Sequence, residues 1–486
     1  MNNKLLIFIP IFILVYFFVH FITDYFYFLN PPSVAFTFIK YAGPIVVLYF
    51  AGYKIFKKKG KFTLAFSTIL FIFLFFGSIA DTAIKYKIIN AWSGFYFKLT
   101  IIFLFAIIAV LFLVRSFSLS VTRKLLLFWI IYCTALIIYD TATFILSPKK
   151  EKIYLAQPTD FNINNNSAKP TVFYLLFDMY PSDTVFHKYF NYDNSGLSSF
   201  LKQKDFFVTD NAHSLYDETY YSLCSTLNLA SLNFYTDSTI ENYKKVLIAL
   251  KNSEHSSLLS AFEKAGYTFH NFSVFDLQGQ HSPLQFNLNY YIENILTSTT
   301  FFNRIYNCAD PDFLLAEKNI DLRILKSSWS DNVKKDMAAL DIHFNNLLDS
   351  SSKNDNPSFN YFHFMIPHPP LLYDSNGHEN KIRDMYFFDG YDKGIEKYIS
   401  YTKFGNKKIK EMVNKIFEKA GKNVVIIIQG DHGFREFANR LPDEARLGIL
   451  NAIYLPNKNY SNFNDTMTPV FTFKQILNNQ FGTFLK

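Results

Sequence analysis

Cysteine is scarce in this chain: three residues in 486 cannot build a disulfide framework, and none falls in a CxxC pair that would suggest a zinc ribbon or a redox couple. Seventeen glycines and seventeen prolines are too few for collagen-like or low-complexity chain. Charge is scarce as well. Charged residues make up 18% of the chain, against a usual fraction of about a quarter, which argues against disorder and against a wholly soluble enzyme. What is present instead is apolar: 50% of residues are hydrophobic and 19% aromatic.

The charges are unevenly placed. Residues 1–150 carry 15 Lys or Arg against the three carboxylates Asp24, Asp81 and Asp140, a net of +12, while the remaining 33 basic and 37 acidic residues leave 151–486 at −4. The overall +8 therefore belongs to the first third. A nucleic-acid partner would need a basic stripe on the folded remainder, and none is there.

Five long apolar stretches fill that first third: Leu5–Phe21, Val34–Tyr53, Phe62–Ala80, Leu99–Val114 and Leu125–Leu146. Each approaches the ~20 residues a helix needs to cross a ~30 Å hydrocarbon core, so five spans are expected over residues 1–147. Lys54, Lys57, Lys58, Lys59 and Lys61 crowd the second loop, and Arg115, Arg123 and Lys124 the fourth. Placing both in the cytoplasm satisfies the positive-inside tendency, with the amino terminus inside and everything after Leu146 outside. The start resembles a signal peptide but is followed by no small-residue cleavage site, and reads as an uncleaved anchor. His20 and Asp140 fall near outer span ends, where interfacial polar residues are common.

Residues 148–169, with Lys149, Lys150, Lys152 and the run Asn162–Asn166, form a polar tether. From 170 to 486 short apolar runs alternate with amphipathic stretches, the pattern of an α/β domain with a mostly parallel sheet sandwiched by helices. The clearest strands are Thr171–Phe177, Tyr267–Val274, Phe359–Phe364 and Val424–Ile428; the helices are Ser195–Lys204, Ser257–Ala265, Asp331–Leu348 and Asn406–Lys419. Phe262–Gly266 and Phe417–Gly421 share five letters, each closing a helix with a glycine before a strand, as a left-handed cap requires.

Three strands run into chemically capable residues: the first into Asp178, the third through Pro367 into His368, the fourth through Gly430 into Asp431-His432-Gly433. Ligands bind beyond the carboxyl ends of strands in open α/β sheets, so these residues can converge on one site. Taken alone, Asp178 reads equally well as a helix cap or turn residue. A carboxylate beside an imidazole suits a zinc- or manganese-like ion. Thr219 opens a helix after a short strand at Phe206–Val208; a hydroxyl there faces the positive end of the dipole, although an N-cap is the commoner use of such a residue.

Phe177-Asp178-Met179-Tyr180-Pro181, then Thr219-x-x-Ser222-Leu223-x-Ser225-x-Leu227-Asn228, then Pro367-His368-Pro369-Pro370, then Gly430-Asp431-His432-Gly433 occur in the order found in sulfatase-like membrane proteins, and the chain resembles that family. The family belongs to the alkaline phosphatase superfamily and includes phosphoethanolamine and phosphoglycerol transferases; the stretch from Thr468-Pro469-Val470 to Phe481-Gly482 is similar too. The resemblance implies that Asp178, Asp431 and His432 hold one divalent metal, zinc or manganese, together with Thr219 as nucleophile. It implies His368 as a catalytic histidine beside the substrate. His363 is a weaker substrate-binding candidate, with a half-buried strand residue as its plainer reading. The implied reaction moves a phospho-head group from a membrane phospholipid donor to an envelope glycan or lipid acceptor, outside a bacterial-type inner membrane. Hydrolysis of phosphate or sulfate esters is the alternative.

The sequence departs from the family in two places. Cys224-Ser225-Thr226-Leu227-Asn228 lacks the Pro or Ala and the Arg that formylglycine sulfatases need, and Asp178 is followed by Met179 rather than a second Asp, leaving a second metal unsupported. Cys224 and Cys308 would share the oxidising side, where a bridge is possible. Asp310-Pro311-Asp312 suggests a metal-dependent glycosyltransferase, but a proline-centred turn explains it more simply. A degenerate binding module is the non-enzymatic reading.

Overall fold

The computed structural model describes residues 5–86, 95–146, 154, 169–288, 292, 295–307, 323–351, 356–483 and 485. Most of the expected tether, Cys308 and Asp310-Pro311-Asp312 lie outside these residues. The chain divides into two units, one made of 1–153 with 290–322, the other of 154–289 with 323–486.

The first unit is built from apolar helices: α1 (Ile9–Tyr25), α2 (Pro31–Ile55), α3 (Lys59–Leu74), α4 (Phe76–Lys85), α5 (Phe95–Ser116) and α6 (Leu119–Leu146). Three segments, Ile9–Phe28, Pro31–Ile55 and Leu119–Leu146, are long and apolar enough to cross a membrane, and they anchor the chain there. The third expected span is not one straight helix. It breaks after Leu74 and turns by 62° between α3 and α4, and the fourth falls within α5.

The break has an identifiable support. Thr299 Oγ1 donates to the Leu74 carbonyl at 3.0 Å, and the Gly77 N–H donates to the Thr299 carbonyl at 2.7 Å. Backbone groups released by a bend in an apolar setting need such partners. Phe301 stacks on Phe103 at 4.2 Å and meets Phe76 edge-on, while Arg304 pairs with Asp81. Elsewhere His20 Nδ1 and Asp140 Oδ2, 2.9 Å apart, join α1 to α6. The Tyr49 hydroxyl donates to the Ile7 carbonyl at 2.7 Å and meets Thr63 Oγ1 at 3.0 Å.

The second unit wraps helices around one six-stranded sheet of order β2-β6-β5-β1-β4-β3. The strands are β1 (Thr171–Phe177), β2 (Phe207–Thr209), β3 (Thr268–Phe272), β4 (Ser358–Phe364), β5 (Val424–Gly430) and β6 (Asn451–Tyr454). The four expected strands form the parallel block β5-β1-β4-β3; β6 runs antiparallel to β5 and β2 antiparallel to β6, so the sheet is mixed. β1 and β5 are buried along almost their whole length, which is why they read as unbroken apolar runs rather than alternating ones. Gly266 and Gly421 are both left-handed (φ +85° and +74°), so the two similar helix ends are indeed capped alike. Helices Arg323–Ser351 and Tyr391–Lys419 are each longer than the sequence pattern suggests.

A Cβ on Gly77 would stand 2.9 Å from Thr299 Cα and 2.4 Å from Arg304 Nε, whereas one on Gly43 would meet nothing within 4 Å. Gly77→Val should therefore destabilise the detergent-solubilised protein by about 1–3 kcal/mol, the usual scale of overpacking. Gly43→Ala should leave the unfolding midpoint unchanged or slightly raised. Equal midpoints for both variants would count against the described support of the bend.

Candidate active site

Strand register builds the site. Phe177 of β1 is level with Gly430 of β5 on one side and Phe364 of β4 on the other, so Asp178 and Asp431, each one residue further on, emerge side by side. The Asp178 N–H continues the ladder by donating to the Phe364 carbonyl at 2.9 Å. Asp178, Asp431 and His432 each present a ligand atom, all within 4.8 Å of one another, and all three residues are buried.

The hydrogen bonds leave specific atoms over. Asp431 Oδ1 accepts from the Met179 N–H at 2.9 Å and from the His432 N–H at 2.8 Å, but Asp431 Oδ2 has no partner among the described residues. Asp178 Oδ2 lies 3.1 Å from His363 Nε2, while Asp178 Oδ1 has no hydrogen-bond partner among the described residues. His432 Nδ1 lies 2.7 Å from the Gly433 carbonyl, which only accepts, so Nδ1 carries the proton and the Nε2 lone pair is free. That lone pair faces Asp431 Oδ2 at 3.4 Å and Asp178 Oδ1 at 3.7 Å. Three electron-rich atoms pointed at one another in a buried site cost several kcal/mol unless a cation joins them. Two carboxylates and one imidazole with a further open position fit a divalent metal.

Thr219 lies at the same point. Glu218 holds the N-cap position with extended backbone and makes no side-chain cap, so Thr219 is the first helical residue of Thr219–Asn228 rather than its cap. Thr219 Oγ1 is 3.4 Å from His432 Nε2. One turn on, Ser222 Oγ donates to the Asp431 carbonyl at 2.6 Å and meets Ser214 Oγ at 2.9 Å, tying the helix start to the strand end. The dipole's positive end thus points where an anion would sit.

The two other histidines occupy unlike positions. His363, on β4, is wholly buried and donates to Asp178 from Nε2, with the Tyr361 hydroxyl 3.4 Å from its Nδ1. It is placed behind a carboxylate rather than at an open surface, as expected for a residue level with Leu176 in register. His368 is partly exposed, and its Nδ1 donates to the Pro369 carbonyl at 2.6 Å, again freeing Nε2. Burial pushes the His368 ring below its ordinary range, with Arg435 adding to the effect and Asp178 opposing it. Burial alone would raise the Asp178 carboxyl, but the neighbouring imidazoles of His368, His363 (which also hydrogen-bonds it) and His432 favour the anion and hold it below the usual carboxylate range.

Sequence reasoning gave no role to several supporting residues. Met179 fills the position of the absent second Asp, wholly buried in the left-handed region at φ +60°. That conformation costs about 1–2 kcal/mol in a residue with a Cβ. Its N–H bond to Asp431 and the Tyr398 hydroxyl bond to its carbonyl hold it there. Arg435 pairs with Glu218 at 3.2 Å; burial opposes its charge, but Glu218, Asp178 and Asp431 favour it. Beneath the site Tyr174, Gln429, Asn451 and Thr472 form a buried chain of hydrogen bonds, each 3.0 Å long. Cys224, five residues beyond Thr219, is a buried free thiol whose pKa burial pushes up to about 12.

A sheet whose central strand ends gather acid and imidazole beside a helix-opening threonine is that of an enzyme of the alkaline phosphatase superfamily. Within it the chain belongs to the sulfatase family, whose model matches residues 170–470. A comparison with curated proteins finds no match. Among solved structures, the integral membrane lipooligosaccharide phosphoethanolamine transferase A of Neisseria meningitidis is 11% identical, with a TM-score of 0.41 over 98% of this chain and 95% of that one. The periplasmic domain of EptC from Escherichia coli in complex with Zn is 11% identical, TM-score 0.38, over 68% of this chain and 87% of that one. A 2-O GAG sulfatase is 12% identical, TM-score 0.38, over 66% and 72%.

The glycines of Gly430-Asp431-His432-Gly433 are packing requirements. A Cβ on Gly433 would lie 2.3 Å from the Ala445 carbonyl oxygen and one on Gly430 2.3 Å from that of Tyr180, both backbone atoms. Gly433→Ala should lower both stability and metal content, measured by thermal unfolding and elemental analysis of the purified protein. His363→Gln should weaken metal binding by about 10–100-fold, the usual effect of removing a residue that orients a ligand. Unchanged metal affinity in the His363 variant would show that it does not position Asp178.

Proposed function

We propose that this chain is a membrane-anchored, metal-dependent phosphotransferase. It moves a phosphoethanolamine- or phosphoglycerol-like head group from a membrane phospholipid to an envelope lipid or glycan through a covalent threonine intermediate. One observation carries the reading: Thr219 Oγ1 stands beside His432 Nε2 where two buried carboxylate oxygens have no partner. Asp178, Asp431 and His432 would hold one divalent metal, zinc or manganese, which when bound lowers the pKa of a nearby hydroxyl and offsets charge on a phosphoryl group.

The remaining roles fall to the chain's own groups. Ser222 and the backbone of Asp431 fix the helix start, so that the Thr219 oxygen is pre-aligned for attack on phosphorus. The Thr219–phosphorus bond forms as the bond from phosphorus to the lipid oxygen breaks, the threonine proton leaving with the lipid alcohol; an acceptor hydroxyl then bonds phosphorus as the Thr219–phosphorus bond breaks, and its proton returns to Thr219 by way of His368. His368, its Nδ1 proton committed to Pro369, offers Nε2 to take the acceptor's proton. Arg435, held by Glu218, supplies a positive charge toward non-bridging oxygens. His363 acts through Asp178 as a positioning residue.

The apolar helices favour a lipid donor, since they keep the enzyme where phospholipid is concentrated. A cytoplasmic amino terminus with the α/β unit outside is supported by Lys61 Nζ, which donates to the Arg115 carbonyl at 2.6 Å and so brings the two most basic loops together at one end.

Incubation of the purified full-length protein with head-group-labelled phospholipid and envelope extract tests the reading. Label recovered on an acceptor supports transfer; label released only to water would replace transfer by ester hydrolysis. Thr219→Ala should lower either rate by about a thousandfold or more. It should also abolish the mass increment on the intact protein, with folding retained. A Thr219→Ala protein of normal activity would remove the covalent step.

A further inference from the structure

Lys40 stands within a membrane span, nine residues and about 14 Å along α2 from Pro31. It makes no ion pair with any described residue. An ammonium group at such depth is costly and calls for a counter-charge.

An apolar cavity of about 560 Å³ opens beside it, among α2, α3, α5 and Phe302. Only residues 56–58 join α2 to α3, so the two helices form a hairpin in which Leu48 is level with Phe66 and Lys40 with Phe73. All four line the cavity, together with Phe103. From Lys40 to Leu48 is about 12 Å of helix. The cavity therefore has a single cation at one end and hydrocarbon walls along the rest.

The polarity has a direction. A helical Cα–Cβ bond tilts toward the amino-terminal end, so Lys40 reaches toward Pro31. A short segment connects that end of α2 to the carboxyl end of α1, where His20 meets Asp140 near the carboxyl end of α6. The Lys40 end of the cavity is thus the end at which α6 leaves the membrane unit.

We propose that this cavity binds one anionic glycerophospholipid, an acyl chain lying along Leu48 and Phe66 and the phosphate on the Lys40 ammonium. Charge complementarity chooses the occupant: a zwitterionic lipid fills the walls equally well, but its phosphate is already balanced by its own ammonium, whereas an anionic lipid brings a net negative charge to Lys40. The cavity lining shares no residue with the proposed metal ligands, and the proposal does not depend on the chemistry assigned to them.

Photocrosslinking of the full-length protein in vesicles tests this, using phosphatidylglycerol with a diazirine on its acyl chain and a matching phosphatidylcholine. Phosphatidylglycerol should label peptides of α2, α3 or α5. Lys40→Gln should reduce that labelling by about fivefold, and Lys40→Arg should restore it. Leu48→Trp should reduce it by filling the apolar end. Unfolding midpoints identify any variant that fails to fold, in which case the Gln and Arg pair decides. Equal labelling by both lipids, untouched by Lys40→Gln, would mean annular lipid only and would overturn the proposal.

Discussion

Two carboxylates held next to each other at the end of a buried parallel ladder dominate the energetics of this molecule. Asp178 and Asp431 adjoin because β1 and β5 pair in register up to Phe177 and Gly430, and no side-chain rearrangement can separate them without slipping the ladder. A one-residue slip would turn every apolar side chain of a strand to the wrong face. The sheet's own packing therefore enforces a local electrostatic conflict. Three donors soften it: the backbone N–H groups of Met179 and His432 on one carboxylate, His363 on the other. What these leave uncovered is one oxygen on each acid, both turned toward the same imidazole nitrogen.

The nucleophile's position follows from the same ladder. Ser222 grips the carbonyl of Asp431 rather than a side chain, so the helix bearing Thr219 is registered to the strand end itself. Met179 shows the cost of that arrangement, held in a conformation that residues with a Cβ seldom adopt so that its N–H can reach Asp431.

How much of this was legible beforehand depended on range. Asp178, Asp431, His432 and Thr219 announce themselves because each directly follows or opens an element that local pattern identifies. Strands β1, β3, β4 and β5 are apolar runs bounded by turn residues, and their parallel pairing follows from the helices between them. β6, with only four residues beginning at Asn451, carries too little pattern. The support of Asp178 by His363, of Asp431 by Ser222, and the Gln429–Asn451–Thr472 chain join residues 21 to 209 positions apart, and no local spacing encodes such pairs. The bend after Leu74 was hidden for a related reason: its supporting groups, Thr299 and Phe301, lie more than 200 residues downstream.

That bend also bears on how the polypeptide can be divided. Residues 295–307 sit between β3 and β4 in the chain yet pack with the membrane helices, through Thr299, Phe301 and Arg304. The two units are consequently stitched together by three passages of backbone, not by one leash after α6. Cutting the gene at the tether would take Phe301 from Phe76 and Phe103 and Arg304 from its carboxylate, leaving the helix Phe301–Asn307 without these packing partners. An excision that keeps the fragment's surface polar has to remove that helix as well.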